Sequence, residues 1–290
     1  MNKAIQKVSV HGGHSGQFCL HASNTLEEVI KAYIDAGYTW VGITEHMPPP
    51  TDEFRYLDEA EANISANKLQ QQFSEYFAEC RALKEKYKDQ IEIYTSFETE
   101  MYEGAVDYIR TLVEATKPDY LVGSVHHVGG IGIDYSPELY QQAQEKAGSL
   151  EALYCQYFDA QYQLLSALTP AVVGHFDLIR IFDPDYQNTL TLPEVAQRIT
   201  RNLAFIKQQE LILDFNLRGY KKGTEPYPSI DVLRQAVAMG ISIVPGDDSH
   251  GISSVGKHYD EGIELLSSLG VSCEWARPKL LVSGKTNELI

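Results

Sequence analysis

WVGITEH (40–46) is an aromatic and β-branched run that ends on a carboxylate and an imidazole and is stopped by MPPP (47–50). It reads as a β-strand, because such residues fit a pleated, buried surface and a proline cluster cannot extend it. Its apolar residues do not alternate with polar ones, so both faces are expected to be covered. Upstream, TLEEVIKAYIDAGY (25–38) has helical periodicity, with Ser23 or Asn24 as candidate N-cap and Gly37 at its end. Downstream, residues 67–88 read as a long amphipathic helix with Leu69, Phe73, Phe77, Leu83 and Tyr87 among its apolar positions. The alternation runs on in both directions. Strands are expected at VSV (8–10), IEIYTSFETE (91–100), DYLVGSVHHV (119–128), AVVGHFDLI (171–179), LILDFNL (211–217) and ISIVPGDDSH (241–250). Helices are expected over 104–116, 137–167, 192–209, 230–240 and 258–269, with a short terminal strand after the last.

Apolar strands alternating with amphipathic helices imply a parallel sheet sheathed by helices, an α/β fold. Seven or so such units fit a closed or distorted barrel better than an open dinucleotide-binding sheet. No GxGxxG follows the first strand, which also argues against the latter. With no repeat, low-complexity tract or clear linker, residues 1–290 are read as one domain. The polar, proline-containing connection 47–66 is a candidate lid over the barrel mouth.

The formal net charge is −16 and no basic face is visible, which argues against a nucleic-acid partner. An anionic substrate would need local positive charge, which bound cations could supply. The cysteines, Cys19, Cys80, Cys155 and Cys273, are scattered and show no CxxC pair, so reduced and mostly buried thiols are expected. No apolar run approaches the ~20 residues of a membrane span. MNKAIQKVSV (1–10) lacks a signal-peptide core, so a cytoplasmic location is expected.

The chemistry lies in where the histidines fall. His11, His46, His126, His175 and His250 each close a strand or lie just beyond one, and Glu98 ends the one intervening strand without a histidine. One strand-end histidine is ordinarily a hydrogen-bonded structural residue. Five at the same end of parallel strands converge on the face where such barrels build their sites. Carboxylates recur beside them: Glu45 before His46, Asp177 after His175, Asp248 before His250. Imidazole with carboxylate is a ligand set for zinc, iron or manganese, and further acids would orient the rings. Asp248 and His250, two residues apart, share a strand face. His127 points away from His126 on a regular strand, and His258 opens a helix, so neither is expected to bind.

In this order, HGGHSGQFCLH (11–21), ITEH (43–46), FETE (97–100), GSVHH (123–127), GHFD (174–177) and GDDSH (246–250) resemble the motif series of the PHP (polymerase and histidinol phosphatase) superfamily, its histidinol-phosphate phosphatase branch most closely. The resemblance covers nearly the whole chain. It implies a distorted (β/α)7 barrel and a site of two or three divalent ions (Zn, Mn or Fe). The implied ligands are His11, His14, His21, His46, Glu98, His126, His175, Asp248 and His250, with Glu98 bridging two metals. It further implies arginines on the phosphate. Arg180 matches by position, and NLRGYKK (216–222) offers Arg218 or Lys221. Asp248 and His250 are assigned to the catalytic centre, with Asp177 or His21 assisting proton transfer.

The implied activity is hydrolysis of L-histidinol phosphate in histidine biosynthesis. The alternatives are another small phosphate ester or nucleotide, or a non-catalytic metal-binding protein. Glu45, Asp52, Glu53 and Asp247 are candidate partners for the cationic end of histidinol. One departure stands out: the usual H-x-H is here His11-Gly12-Gly13-His14, one residue longer, which on a regular strand would turn the two rings to opposite faces unless the glycines form a bulge.

Overall fold

The computed structural model describes residues 5–281. Its strands are β1 (Lys7–Ser9), β2 (Tyr38–His46), β3 (Glu92–Glu98), β4 (Leu121–Gly123), β5 (His127–Val128), β6 (Ile131–Gly132), β7 (Val172–Val173), β8 (Ile212–Asn216) and β9 (Ser242–Gly246). Seven of them form one parallel sheet in the order β1-β2-β3-β4-β7-β8-β9, and β5 and β6 form a separate antiparallel hairpin. The sheet curls until the two edges meet: the Val10 amide donates to the Pro245 carbonyl at 2.9 Å and the Asp248 amide to the His11 carbonyl at 3.0 Å. The result is an α/β fold with a nearly closed seven-stranded parallel barrel. Helices Leu26–Asp35, Ala66–Lys86, Ala105–Thr116, Leu150–Leu168, Pro193–Gln208 and Ile230–Ala238 make the crossovers.

Burial follows the sequence pattern. Val8, Val10, Trp40, Tyr94, Tyr120, Val122, Val172, Ile212 and Val244 fill the barrel interior. A second apolar layer, including Ile43, Phe73, Phe77, Phe97 and Leu213, lies between strands and helices. Both faces of β2 are therefore covered, as its unbroken apolar run requires. Its register with β3 runs without a break from Trp40↔Glu92 to His46↔Glu98, which sets an imidazole directly beside a carboxylate at the barrel mouth.

Several boundaries differ from those expected, each for a local reason. Thr25 is the N-cap of the first helix, and with Glu28 it forms a reciprocal capping box that Ser23 and Asn24 cannot make. The expected helix 137–167 is two helices, Pro137–Ala147 and Leu150–Leu168, broken at Gly148 and restarted by a Ser149 cap. The strand expected over 119–128 stops at Gly123. That over 171–179 shortens to two residues, because the chain turns into the 3-10 helix Leu178–Phe182. Residues 270–281 form no terminal strand, and any such strand beyond them lies outside the described residues. Of the cysteines only Cys80 is buried; Cys19, Cys155 and Cys273 are half-buried, and all four are free. Among the described residues no helix is long and apolar enough to cross a membrane.

The 47–66 connection crosses the mouth as an ordered strap. Gln70 Nε2 donates to the Pro49 carbonyl at 2.9 Å, and Asp52 Oδ1 accepts from the Ala66 amide at 2.6 Å.

Candidate metal centre

Glu98 ends β3 at the centre of the mouth and is buried. Its Oε1 faces His175 Nε2 at 2.7 Å and His126 Nε2 at 3.2 Å. Its Oε2 faces His46 Nδ1 at 3.2 Å, His11 Nε2 at 3.5 Å and His14 Nε2 at 4.0 Å. Asp248 completes the ring from the far side, with His14 Nε2 3.1 Å and His250 Nδ1 3.5 Å from its Oδ1. Imidazoles from four separate strand ends thus meet at the carboxylate that closes a fifth.

The HGGH segment turns both of its imidazoles inward. His14 stacks on His46 with ring centroids 4.5 Å apart, and the His14 amide donates to the Ser249 carbonyl at 2.7 Å, so the extra residue is absorbed beside GDDSH. The glycines are needed for close approach. A Cβ on Gly12 would stand 2.2 Å from the Gly42 carbonyl oxygen, and one on Gly13 would stand 2.6 Å from Val29 Cγ1.

A second layer of acids fixes the rings. His11 Nδ1 donates to Asp214 Oδ2 and His126 Nδ1 to Asp134 Oδ2, each at 2.9 Å. Glu45 accepts from the Ser15 amide at 2.8 Å and hydroxyl at 2.7 Å, and stands 3.7 Å from His14 Nδ1. With Nδ1 committed to a carboxylate, the Nε2 of His11 and of His126 points at a second one, and carboxylates only accept. Without a cation between them each ring must carry two protons. Burial opposes this, but Glu98, Asp248 and Asp214 outweigh it and hold His11 well above its ordinary value. Burial likewise lowers His14, yet Asp248 and Glu45 raise it to about 9. Burial and the charge of neighbouring His14 press His46 and His250 well below theirs, although Glu98 and Asp248 pull the other way.

Four ring nitrogens of this cluster are left unpaired. His11 Nε2, His14 Nδ1, His46 Nδ1 and His175 Nδ1 are buried without a hydrogen-bond partner. Among the described residues five sets of three donors lie with their ligand atoms within 4.8 Å of one another, including His11–His14–Glu98, His14–His46–His250 and Glu98–His126–His175. Buried unpartnered nitrogens around carboxylates are the donor set of divalent transition metals, and the residues fit such ions.

The remaining expectations divide. His21 lies at the rim, its side chain 35% exposed, with its ring 5.0 Å from His46 and 5.2 Å from His250. It joins none of the donor sets, and its Nε2 meets Cys19 Sγ at 3.1 Å. Arg180 is buried and off the cavity wall, donating to the Glu225 and Pro226 carbonyls at 2.7 and 2.6 Å, with its guanidinium 4.3 Å from the ring centroid of Tyr227, which lines the cavity. Asp177 is fully buried with it, accepting from Arg180 Nε at 3.4 Å and the Ser229 amide at 2.8 Å, and is off the cavity wall.

Lys221 is not on the cavity wall either; its neighbour Lys222 is, together with Arg218. Arg218 Nη1 donates to His250 Nδ1 at 2.7 Å and to the Asp248 carbonyl at 3.2 Å. Of the acids expected at the mouth, Glu45 is buried behind His14. Asp247 is buried on Ser9 and Tyr33, at 2.7 Å from each, its carboxyl pushed by burial to about 6. Asp52 caps Ala66, and Glu53 is exposed outside the cavity. His127 donates to Glu100 at 3.0 Å and His258 pairs with Glu261, both away from Glu98.

Above the cluster opens a cavity of about 290 Å³. His46, Glu98, His126, His175, Asp248 and His250 floor it, and Arg218 and Lys222 place cations on its wall.

A profile of the PHP domain matches residues 12–218. The Schizosaccharomyces pombe protein named "Probable histidinol-phosphatase" is 38% identical over 273 residues, spanning 91% of this chain and 87% of that protein. The "Histidinol-phosphatase" of Saccharomyces cerevisiae is 28% identical over 286 residues, spanning 87% and 85%. The crystal structure of histidinol phosphate phosphatase from Lactococcus lactis, complexed with zinc, L-histidinol and phosphate, superposes with a TM-score of 0.71 at 20% identity, over 96% of this chain and 99% of that one. The strand-end cluster, the nearly closed barrel and these matches together place the chain in the PHP domain family.

Proposed function

We infer that the protein is a phosphoric monoester hydrolase that converts L-histidinol phosphate and water to L-histidinol and inorganic phosphate. The observation that carries the reading is the Glu98-centred ring of buried imidazoles beneath a cavity that also presents Arg218 and Lys222. The names of the S. pombe and S. cerevisiae relatives supply the substrate.

His11, His14, His46, Glu98, His126, His175, Asp248 and His250 would hold two or three divalent ions of zinc, manganese or iron. Such ions, when bound, make hydroxide available at neutral pH and neutralise phosphoryl oxygens. The chain does the rest. Asp214 and Asp134 hold the rings of His11 and His126 in one tautomer. Arg218 and Lys222 draw the phosphate monoester to the floor of the cavity, and the guanidinium fork orients it. Attack at phosphorus breaks the P–O bond to the alcohol, and the leaving alkoxide takes a proton. His21, half-exposed at the rim, relays it.

Asp214→Asn keeps an acceptor for His11 but removes its charge, and is expected to weaken metal binding about 10–100-fold, measured by competition with a chromophoric chelator. Arg218→Ala is expected to lower kcat/KM about 10–100-fold, since a charged hydrogen bond contributes about 1.5–3 kcal/mol. Arg218→Lys should recover only part of this, having the charge without the fork. The reading is tested by phosphate release from a panel of esters. L-histidinol phosphate should be preferred over sugar phosphates and nucleotides by about 10²-fold or more in kcat/KM, which a site built to hydrogen-bond its substrate can achieve. A nucleotide or sugar phosphate turned over faster would overturn it.

A further inference from the structure

The cavity carries opposite charges on its walls. Arg218 and Lys222 supply the cations, and Asp134 supplies a carboxylate whose side chain remains 22% exposed. Asp134 reaches this wall through the β5–β6 hairpin. Gly129 and Gly130, both at positive φ (59° and 80°), turn the chain back. The Ile133 amide then donates to the His126 carbonyl at 2.9 Å, which brings Asp134 beside the ring eight residues earlier.

Its two oxygens differ in use. Oδ2 accepts from His126 Nδ1 at 2.9 Å. Among the described residues no cationic nitrogen other than that of His126 lies within 4.0 Å of this carboxylate. Glu45 and Asp247, by contrast, spend both oxygens on internal partners or are sealed from the cavity. Tyr56 from the strap and Tyr135 beside Asp134 add aromatic wall next to this carboxylate.

Resting on the substrate reading above, we propose that Asp134 is a specificity residue: its Oδ1 receives the protonated amine of the phosphate ester while Oδ2 keeps His126 oriented. The site then recognises an aminoalkyl phosphate as a dipole, phosphate toward Arg218 and Lys222 and ammonium toward Asp134. It discriminates against esters that carry phosphate alone, because these leave the carboxylate without a counter-ion in a partly dry cavity.

The test is a ratio. kcat/KM is measured for L-histidinol phosphate and for p-nitrophenyl phosphate, which has no amine, in the parent protein and in Asp134→Asn, which keeps an acceptor for His126. The proposal expects the ratio of the two to fall about 10–100-fold in the variant, the worth of one charged hydrogen bond. Proportional losses on both esters would overturn it, since that is the signature of a residue acting only through His126. If Asp134→Asn turns over too slowly to measure, calorimetry replaces kinetics. L-histidinol should then bind the variant at least about 10-fold more weakly than the parent while inorganic phosphate binds both alike; equal weakening of both ligands overturns the proposal. A parent protein with no preference for L-histidinol phosphate over p-nitrophenyl phosphate would instead overturn the substrate reading, and the proposal with it.

Discussion

Replacing Glu98 with glutamine is expected to abolish both metal retention and phosphate release while leaving the barrel folded. Glu98 is the one carboxylate that His11, His46, His126 and His175 all face, at 2.7–3.5 Å. The amide has the same shape but no charge, and its NH₂ group can only donate. It can bridge no cations, and it sets a donor against ring nitrogens whose other side is already fixed by Asp214 and Asp134. Lewis-acid stabilisation by metal ions contributes several kcal/mol to a transition state, and each ~1.4 kcal/mol is tenfold in rate, so kcat/KM should fall by about 10³-fold or more. Metal analysis of the purified variant, steady-state kinetics and far-UV circular dichroism check the three parts. A variant that keeps its metal and more than about a tenth of its activity would remove Glu98 from the centre of the account.

Gly12→Ala is expected to cause the second largest loss, through packing. The added methyl would stand 2.2 Å from the Gly42 carbonyl oxygen and 2.7 Å from Val41 Cγ2. Neither neighbour can yield easily. Gly42 lies inside the unbroken β2–β3 register, and its own face is pressed by Tyr120, whose hydroxyl would be 1.7 Å from a Cβ there. Overpacking of this kind costs about 1–3 kcal/mol and sometimes more, which in a chain of this size lowers Tm by roughly 2–5 °C. Gly12 and Gly13 lie between His11 and His14, beyond the end of β1, so metal content should fall as well. Gly37→Ala is the control: nothing lies within 4 Å of its Cβ and only its φ of +78° is strained, so a loss of about 1 kcal/mol is expected. Thermal unfolding of the two variants side by side measures the difference. Equal Tm values would show that close approach in the HGGH segment is not what requires glycine there.

Much of the site was legible because one geometric rule does most of the placing. Parallel strands put their C-terminal ends on one face, so WVGITEH, IEIYTSFETE and ISIVPGDDSH could be read as three sides of one mouth. The positions that escaped the reading are those set by local turns. DYLVGSVHHV looks like one strand, but the chain leaves the sheet after Gly123 and doubles back at Gly129–Gly130, which conceals the meeting of Asp134 with His126. Asp214 lies inside the apolar run LILDFNL, and only the barrel's curvature shows that it faces His11. Arg180 and Lys221 were placed by motif position. The first is drawn inward by the 3-10 turn that packs it against Tyr227, and the second is displaced by the helical turn Arg218–Lys221, which brings Lys222 to the wall instead. A buried aspartate in an otherwise apolar strand was the signal for Asp214, since such a group needs a partner.

The account stands most directly on anomalous diffraction from crystals of the active protein, recorded on either side of the zinc, iron and manganese edges. It predicts two or three peaks around the Glu98 carboxylate, each about 2.0–2.2 Å from nitrogens among His11, His14, His46, His126, His175 and His250. Crystals of protein that hydrolyses L-histidinol phosphate, yet show no anomalous peak in contact with Glu98, would contradict it.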